Sequence, residues 1–139
     1  MRPRIVLIAL LPLLLTACPD PGPTRGPIRG TVRLDGKPLA SGKVRFFAVT
    51  SGGIGLEADV LNGQYVVPME QGPTAGTYRV EFVSHQKTGR KIPDPDGLPG
   101  DTKDETVNVV PFRYNRDSRL MIEYDPATDR SFDFDLQTK

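Results

Sequence analysis

From residue 28 to residue 136, apolar and polar side chains alternate in short runs that are separated by turn-forming residues. Alternation with a period of two is typical of strands that bury one face and expose the other. In the clearest run, Val80 and Phe82 should face the interior, while Arg79 and Glu81 should face solvent. The pattern predicts strands at about residues 28–34, 43–48, 56–60, 65–67, 78–82, 120–124 and 132–136.

Turn-forming dipeptides lie between these runs. Asp35-Gly36 follows the first run, and Asn62-Gly63 readily takes the positive φ angles of a two-residue hairpin turn. About seven short strands, each with one apolar face, predict an all-β fold in which two antiparallel sheets pack as a two-layer β-sandwich. We expect its core to contain Phe46, Phe82, Ile122 and Phe134.

The N-terminus has a different pattern. Arg2 and Arg4 precede an unbroken apolar stretch over residues 5–15. A short positive segment followed by an apolar stretch too short to span a bilayer permanently is typical of a signal peptide. Pro12 also disfavours a stable membrane-spanning helix. We therefore expect a signal-peptide helix ahead of the folded domain.

The apolar stretch ends in Leu15-Thr16-Ala17-Cys18, which resembles the lipobox of bacterial lipoproteins. The resemblance implies that residues 1–17 are removed as a lipoprotein signal peptide and that the Cys18 thiol carries lipid. Acyl chains such as palmitate contribute about 0.8 kcal/mol per buried methylene, so several chains hold a protein on a membrane. The implied location is the cell envelope, on the periplasmic or outer-membrane face. An ordinary secretory signal and an uncleaved membrane helix are the alternatives.

Residues 18–26 contain three prolines and two glycines and offer little apolar surface to bury. This composition predicts an extended, semi-stiff tether. The remaining residues, 27–139, are enough for one domain with a modest core. The chain is therefore predicted to consist of a signal peptide, a tether and one β-sandwich.

Between residues 28 and 136, seven pieces occur in a telling order and spacing: Gly30-Thr31-Val32, Leu34-Asp35-Gly36-Lys37-Pro38-Leu39, Gly42-Lys43-Val44-Arg45-Phe46, Asn62-Gly63-Gln64-Tyr65, Gly76-Thr77-Tyr78-Arg79-Val80, Tyr114-Asn115 with Ser118 and Leu120, and Phe132-Asp133-Phe134-Asp135-Leu136. Together they resemble the carboxypeptidase regulatory-like, or transthyretin-like, domains of small bacterial lipoproteins. The resemblance implies a prealbumin-like Greek-key sandwich and says little about activity, because this fold has many roles. The immunoglobulin hallmark of a disulfide against Trp is absent, since the chain has no Trp and one Cys.

The charge of the chain is nearly balanced, with 18 basic and 17 acidic side chains. No basic stripe interleaved with aromatic residues occurs, so nucleic-acid binding has no electrostatic support. Within the chain, the single cysteine has no partner for an internal disulfide, which agrees with a role outside the core.

His85 is the one histidine of the chain, and it follows a predicted strand. A general base needs an orienting partner and a nucleophile within reach, and the sequence indicates neither. Some transthyretin-like proteins hydrolyse a purine-derived ring, using several histidines and a C-terminal Tyr-Arg-Gly-Ser. This chain ends in Leu136-Gln137-Thr138-Lys139. We therefore expect a surface histidine and no catalytic site.

Five carboxylates crowd a segment rich in Pro and Gly that is predicted to form a loop of about twenty residues, 86–106. Such a cluster could chelate calcium, although its spacing matches only the opening of an EF-hand loop. A solvated loop with Asp-Gly turns is the preferred interpretation. The acidic residues are Asp94, Asp96, Asp101, Asp104 and Glu105.

Two basic clusters lie before and after these carboxylates. Lys87, Arg90 and Lys91 fit either a loop that neutralises its own charges or a weak anion site. The second cluster surrounds Tyr114-Asn115, where the family resemblance favours a structural turn; it consists of Arg113, Arg116 and Arg119.

The function expected from these features is a non-catalytic interaction or structural module without a cofactor, held on a membrane through Cys18. Its further partner is an unidentified protein or glycan. Carbohydrate binding is one alternative, and it requires an exposed platform of Tyr65, Phe47, Phe112 or Tyr114. A calcium-stabilised adhesin or a metal-dependent enzyme is another, and it requires the carboxylates of residues 94–105 to converge with one another or with His85.

Overall fold

The structure is a computed structural model, and it describes residues 22–50, 55–128 and 131–139. The predicted signal-peptide helix and Cys18 lie outside the described residues. Within them the protein is all-β, with two 3₁₀ helices at Met69–Gln71 and Phe112–Tyr114. The strands are β1 (Ile28–Leu34), β2 (Lys37–Pro38), β3 (Ser41–Ala48), β4 (Gly55–Leu61), β5 (Gln64–Val67), β6 (Gly76–Val83), β7 (His85–Pro93), β8 (Thr102–Asn108), β9 (Met121–Tyr124) and β10 (Phe134–Leu136).

The strands form a sheet that curls into two layers, which confirms the predicted sandwich. One layer has the strand order β4-β3-β6-β9, and the other has the order β5-β1-β10. The layers join where Leu61 of β4 pairs with Gln64 of β5. The turn between them is Asn62-Gly63, whose φ angles of 51° and 75° are those of the predicted hairpin turn. All seven predicted strands occur, with bounds that differ by a few residues.

Aromatic side chains from both layers meet in the core. The Phe46 ring of one layer lies 5.9 Å from the Tyr65 ring of the other, and the Phe82 ring lies 5.0 Å from that of Phe134 in an edge-to-face arrangement. Val80 is also fully buried. These contacts confirm the inward face that the two-residue period predicts for β3 and β6.

The neighbours of Val80 and Phe82 lie on the outer face of β6, where they form an ion pair. The Arg79 guanidinium binds the Glu81 carboxylate and also lies 5.1 Å from the centre of the Phe47 ring. Glu81 is thereby largely covered. The outer face is therefore polar, as predicted, but not fully solvated.

One strand pair departs from the predicted antiparallel arrangement. β10 pairs with β1 in parallel, with Val32 opposite Phe134 and Leu34 opposite Leu136. The chain reaches β10 after β9, which lies in the other layer, so the connection crosses between layers instead of turning back through a hairpin. A crossing of this kind allows β10 to run in the same direction as β1.

The strand directions define two ends of the sandwich. The proximal end is where the described chain enters, and it holds the start of β1, the first 3₁₀ helix and the end of β3. The distal end holds the end of β1, the end of β6 and the start of β9. The connection from β6 to β9, residues 84–120, therefore leaves from the distal end and returns to it.

The prediction of a loop at residues 86–106 is wrong. β7 and β8 form a separate two-stranded antiparallel sheet, and only residues 94–101 form the turn between them. Both faces of this hairpin are exposed to solvent, so its strands lack the apolar alternation by which half-buried strands are predicted. We call residues 85–108 the arm.

Candidate functional site

The arm projects from the distal end and is exposed along almost its whole length. Its strands pair with each other and with no strand of the sandwich. At about 3.3 Å per residue, the nine residues of β7 span about 30 Å. The register shifts between Lys87 and Lys91, where Gly89 has a φ of 85° that suits glycine. The arm is therefore a long element with ample free surface for contacts.

The base of the arm is fixed to the sandwich by polar side chains. Ser84 is fully buried between β6 and β7, and its hydroxyl donates to the Ser41 carbonyl oxygen over 2.6 Å. The Asn108 side-chain oxygen accepts hydrogen bonds from the backbone N–H groups of Ser84 and Val110, at 3.0 and 3.2 Å. These bonds occupy backbone groups that would otherwise be left unpaired where the strands leave the sheet.

Opposite charges pair across the arm. Asp104 binds both Lys87 and Lys91 over 2.6 Å, and Glu105 accepts two hydrogen bonds from Arg90, at 2.8 and 2.9 Å. Hydrogen bonds from Lys87 and Lys91 lower the pKa of Asp104 to about 2. This arrangement matches the interpretation of a segment that neutralises its own charges, and it leaves these cations engaged with carboxylates instead of facing an external anion.

We expect the Asp104 carboxyl to titrate near pH 2 in the folded protein. Its folded-state pKa lies below the ordinary 3.8, so the pairing stabilises the arm above about pH 4 and is lost as the pH falls through about 2. Replacing both Lys87 and Lys91 by glutamine should raise the midpoint toward the ordinary value. Carbon-detected NMR of the carboxyl group measures it.

The matched control for this titration is Lys103→Gln, because Lys103 pairs with Asp94 at 3.3 Å and not with Asp104. That variant should leave the Asp104 midpoint unchanged. An identical midpoint in the parent protein and in the double lysine variant would contradict the ion pairs.

The tip of the arm is a turn in which acidic side chains bind the backbone. The Asp94 N–H donates to the Asp101 carbonyl oxygen over 2.9 Å, and the Asp101 carboxylate accepts the Leu98 N–H over 2.8 Å. The Leu98 side chain is 76% exposed. Within the described ranges, no group of three or more His, Cys, Asp or Glu side chains is arranged to hold a metal ion. The convergence that a calcium site requires is thus not found there.

The second 3₁₀ helix follows the arm along the chain and lies at the distal end. Phe112 is 69% exposed, and the Arg113 guanidinium lies 5.1 Å from the centre of the Tyr114 ring. Arg113 also donates to the carbonyl oxygens of Gln137 and Lys139, so it holds the C-terminal residues in place. Of the three arginines of this cluster, Arg113 thus has a structural role. Arg113 and Arg119 also line an open cleft of about 490 Å³.

The C-terminal residues are held a second time by Asp35. Its carboxylate accepts the Thr138 backbone N–H over 2.9 Å and the Thr138 hydroxyl over 2.8 Å, and these bonds lower the pKa of Asp35. Arg33 and Asp35 line a second open cleft of about 570 Å³ with the last residues of the chain. The distal end therefore combines the arm, an exposed aromatic residue and two clefts.

The four aromatic residues proposed for a carbohydrate platform do not lie on one surface. Tyr65 is buried, and its hydroxyl donates to the Phe132 carbonyl oxygen over 2.9 Å. Phe47 lies against Arg79 on the outer face of β3. Phe112 and Tyr114 are close in sequence at the distal end, but only Phe112 is largely exposed. The geometry therefore does not favour the carbohydrate alternative.

His85 lies where the arm begins, paired in register with Asn108, and its side chain is exposed. Within the described part of the chain its ring has no hydrogen-bond partner. The arm carboxylates other than Asp96 are engaged with lysine, arginine, threonine or backbone groups instead. Among these residues, His85 and the carboxylates do not converge.

Sequence reasoning missed the residues that attach the arm and the C-terminus, namely Ser84, Asn108 and Asp35. Apart from Val110, which is bound by Asn108, their partners are 24 to 103 residues away in the chain, so no local pattern reports them. The hairpin did leave a signal in the order of its charges: the cations of residues 87–91 are followed by the anions Asp104 and Glu105, as cross-strand pairing requires.

Comparison with models of known protein families gave no match, and comparison with curated proteins gave none. Among solved structures, the chain is similar to a 9R-lipoxygenase from Cyanothece PCC8801, with 11% sequence identity and a TM-score of 0.38. The match covers 83% of this chain and 16% of that chain. A likeness this weak carries no argument about fold or function. Among the described residues, the structure contains no candidate for a membrane-spanning helix.

Proposed function

We propose that this chain is a lipoprotein of the cell envelope, anchored through lipid on Cys18, whose sandwich is a non-catalytic interaction module. The sandwich is proposed to be a carboxypeptidase regulatory-like domain, on the strength of the sequence pieces that carry that resemblance and of the all-β architecture. The distal end is the part of the module that we assign to a partner.

The observation that carries the proposal is the opposite placement of the two functional segments. The chain coming from Cys18 reaches the sandwich at the proximal end, where Gly26 donates its N–H to the Pro73 carbonyl oxygen over 3.1 Å. The arm, Phe112, the cleft beside the C-terminal residues and the cleft lined by Arg113 and Arg119 lie at the distal end. An anchored protein that binds a partner away from the membrane needs this separation.

The chemistry of the distal end favours a protein partner over a small charged ligand. The cations of the arm are already paired with carboxylates, whereas Leu98 and Phe112 expose apolar surface. Aromatic residues such as Phe112 are enriched in protein–protein interfaces, and charged residues are depleted from their cores. The arm thus offers shape and apolar contact instead of net charge.

The anchor is tested by the substitution Cys18→Ser. We expect the parent protein to incorporate labelled fatty acid and to lose residues 1–17, and the variant to do neither, because serine lacks the thiol that carries the lipid. The mass of the purified protein shows whether residues 1–17 have been removed. Thr16→Ala is the matched control, since it changes a neighbouring small residue and keeps the thiol.

Incorporation of fatty acid by the Cys18→Ser variant would refute the assignment of the lipid to Cys18. Absence of lipid from the parent protein would refute the anchor itself.

A further inference from the structure

The end of the predicted tether is docked on the sandwich. The Arg25 guanidinium donates to the Gly72 carbonyl oxygen over 2.9 Å, and the Arg25 backbone forms an isolated bridge with Thr74. The Gly26 N–H donates to Pro73 in the same segment. Two residues of the predicted tether, Arg25 and Gly26, are therefore held by the body at its proximal end.

This docking is close enough to require glycine on both sides. A Cβ atom at Gly26 would overlap the Tyr124 hydroxyl, and one at Gly72 would overlap the Gly26 carbonyl oxygen. Gly26 is itself buried. Backbone packed this closely holds Arg25 and Gly26 in place on the sandwich. Only residues 19–24 then connect Cys18 to the docked residues, and we call them the leash.

That leash is short compared with the body. Six residues, 19–24, separate Cys18 from Arg25, and a chain extends by at most about 3.6 Å per residue, so Arg25 lies within about 25 Å of Cys18 in any conformation. The eight residues of β3 alone span about 26 Å between the two ends. Turning the distal end to the membrane would lift Arg25 by that length plus the arm, which the leash does not allow.

The proximal end exposes two apolar side chains on segments that adjoin the docked tether. Met69, in the first 3₁₀ helix, is 57% exposed, and Val49, directly after β3, is 55% exposed. Val49 is held beside β6 by a hydrogen bond from its N–H to the Thr77 carbonyl oxygen, over 3.0 Å. Exposed Arg25 and Glu70, of opposite charge, lie on the same end.

We propose that the sandwich stands on the membrane with its proximal end, including Met69 and Val49, in contact with the lipid surface and its arm directed away. This inference rests on the proposed lipid at Cys18, which fixes where the leash begins. Because the two charges on this end have opposite signs, we expect the contact to depend on the apolar side chains and not to require anionic lipid. The short leash keeps the proximal end near the membrane, and the Met69 and Val49 side chains make the contact with lipid.

The absence of tryptophan from the chain permits a direct test with single-tryptophan variants. Met69→Trp reports on the proximal end, and Phe112→Trp, at a side chain of similar exposure, is the matched control at the distal end. The lipid-bearing proteins are reconstituted in uncharged phosphatidylcholine vesicles that contain a brominated lipid, which quenches tryptophan on contact. We expect the Met69→Trp variant to lose roughly half of its emission and the Phe112→Trp variant to keep nearly all of it.

Equal quenching of the two variants, or quenching of Phe112→Trp alone, would overturn the inference. The mass of each sample shows independently whether Cys18 carries lipid. If it does not, the proposed anchor fails, and the orientation is tested by coupling the Cys18 thiol of residues 18–139 to a maleimide-bearing lipid. All described strands lie within that segment. The coupled Met69→Trp variant must then be quenched, and an unquenched one refutes the orientation.

Discussion

Replacing Phe82 by alanine should lower the free energy of unfolding by about 3–5 kcal/mol. Phe82 is fully buried, and its ring meets that of Phe134 edge to face at 5.0 Å across the two layers. The substitution removes apolar contact from both sheets and leaves a cavity that the paired strands β3 and β9 on either side of β6 prevent from closing.

Urea denaturation followed by far-ultraviolet circular dichroism measures this loss. The matched control is Phe112→Ala, because it deletes the same side chain at a position that is 69% exposed, and its effect should be within about 0.5 kcal/mol. Similar losses in the two variants would contradict the assigned core.

Gly30→Ala should lower the free energy of unfolding by about 3 kcal/mol, which is at the upper end of the losses caused by adding a methyl group to a packed interior. A Cβ atom at Gly30 would overlap the carbonyl oxygen of Phe132 and approach Cε1 of Tyr65 to 3.0 Å. β1 has little freedom to move away, since it pairs with β5 on one edge and β10 on the other. The segment that leads into β10 must therefore shift.

The same denaturation measurement applies, and hydrogen exchange locates the change. The Phe132 N–H, which donates to the Arg29 carbonyl oxygen over 2.9 Å, should lose protection in the variant. Gly22→Ala is the control, because nothing lies within 4 Å of a Cβ atom at that position. Unaltered protection at Phe132, together with unaltered stability, would show that this close approach is not present.

The strands that could be predicted are those that bury one face. β6 shows this most clearly, since Val80 and Phe82 point inward and their neighbours outward, and burial of alternate side chains is what produces the two-residue period. The arm could not be predicted in this way. Both faces of its strands are exposed to solvent, and the strands carry ion pairs between Asp104, Glu105 and the opposing cations. Hydrophobic periodicity therefore carries no information about them.

The candidate site could be predicted from the sequence only in part, for a related reason. Sequence reasoning singled out the charged segment and the arginines near Tyr114, but it treated them as separate features. The structure brings them together at the distal end because β6 leaves that end and β9 starts there. Proximity of this kind depends on strand direction, which a local pattern does not contain.

The sequence by itself determined the all-β class, the inward faces of the main strands and the hairpin turn at Asn62-Gly63, because each depends on residues that are neighbours in the chain. Only the tertiary structure decided the parallel pairing of β10 with β1, the docking of Arg25 at Gly72 and the hydrogen bonds from Thr138 to the Asp35 carboxylate. These contacts join segments 47 to 103 residues apart, and they exist only once both layers have closed on a common core.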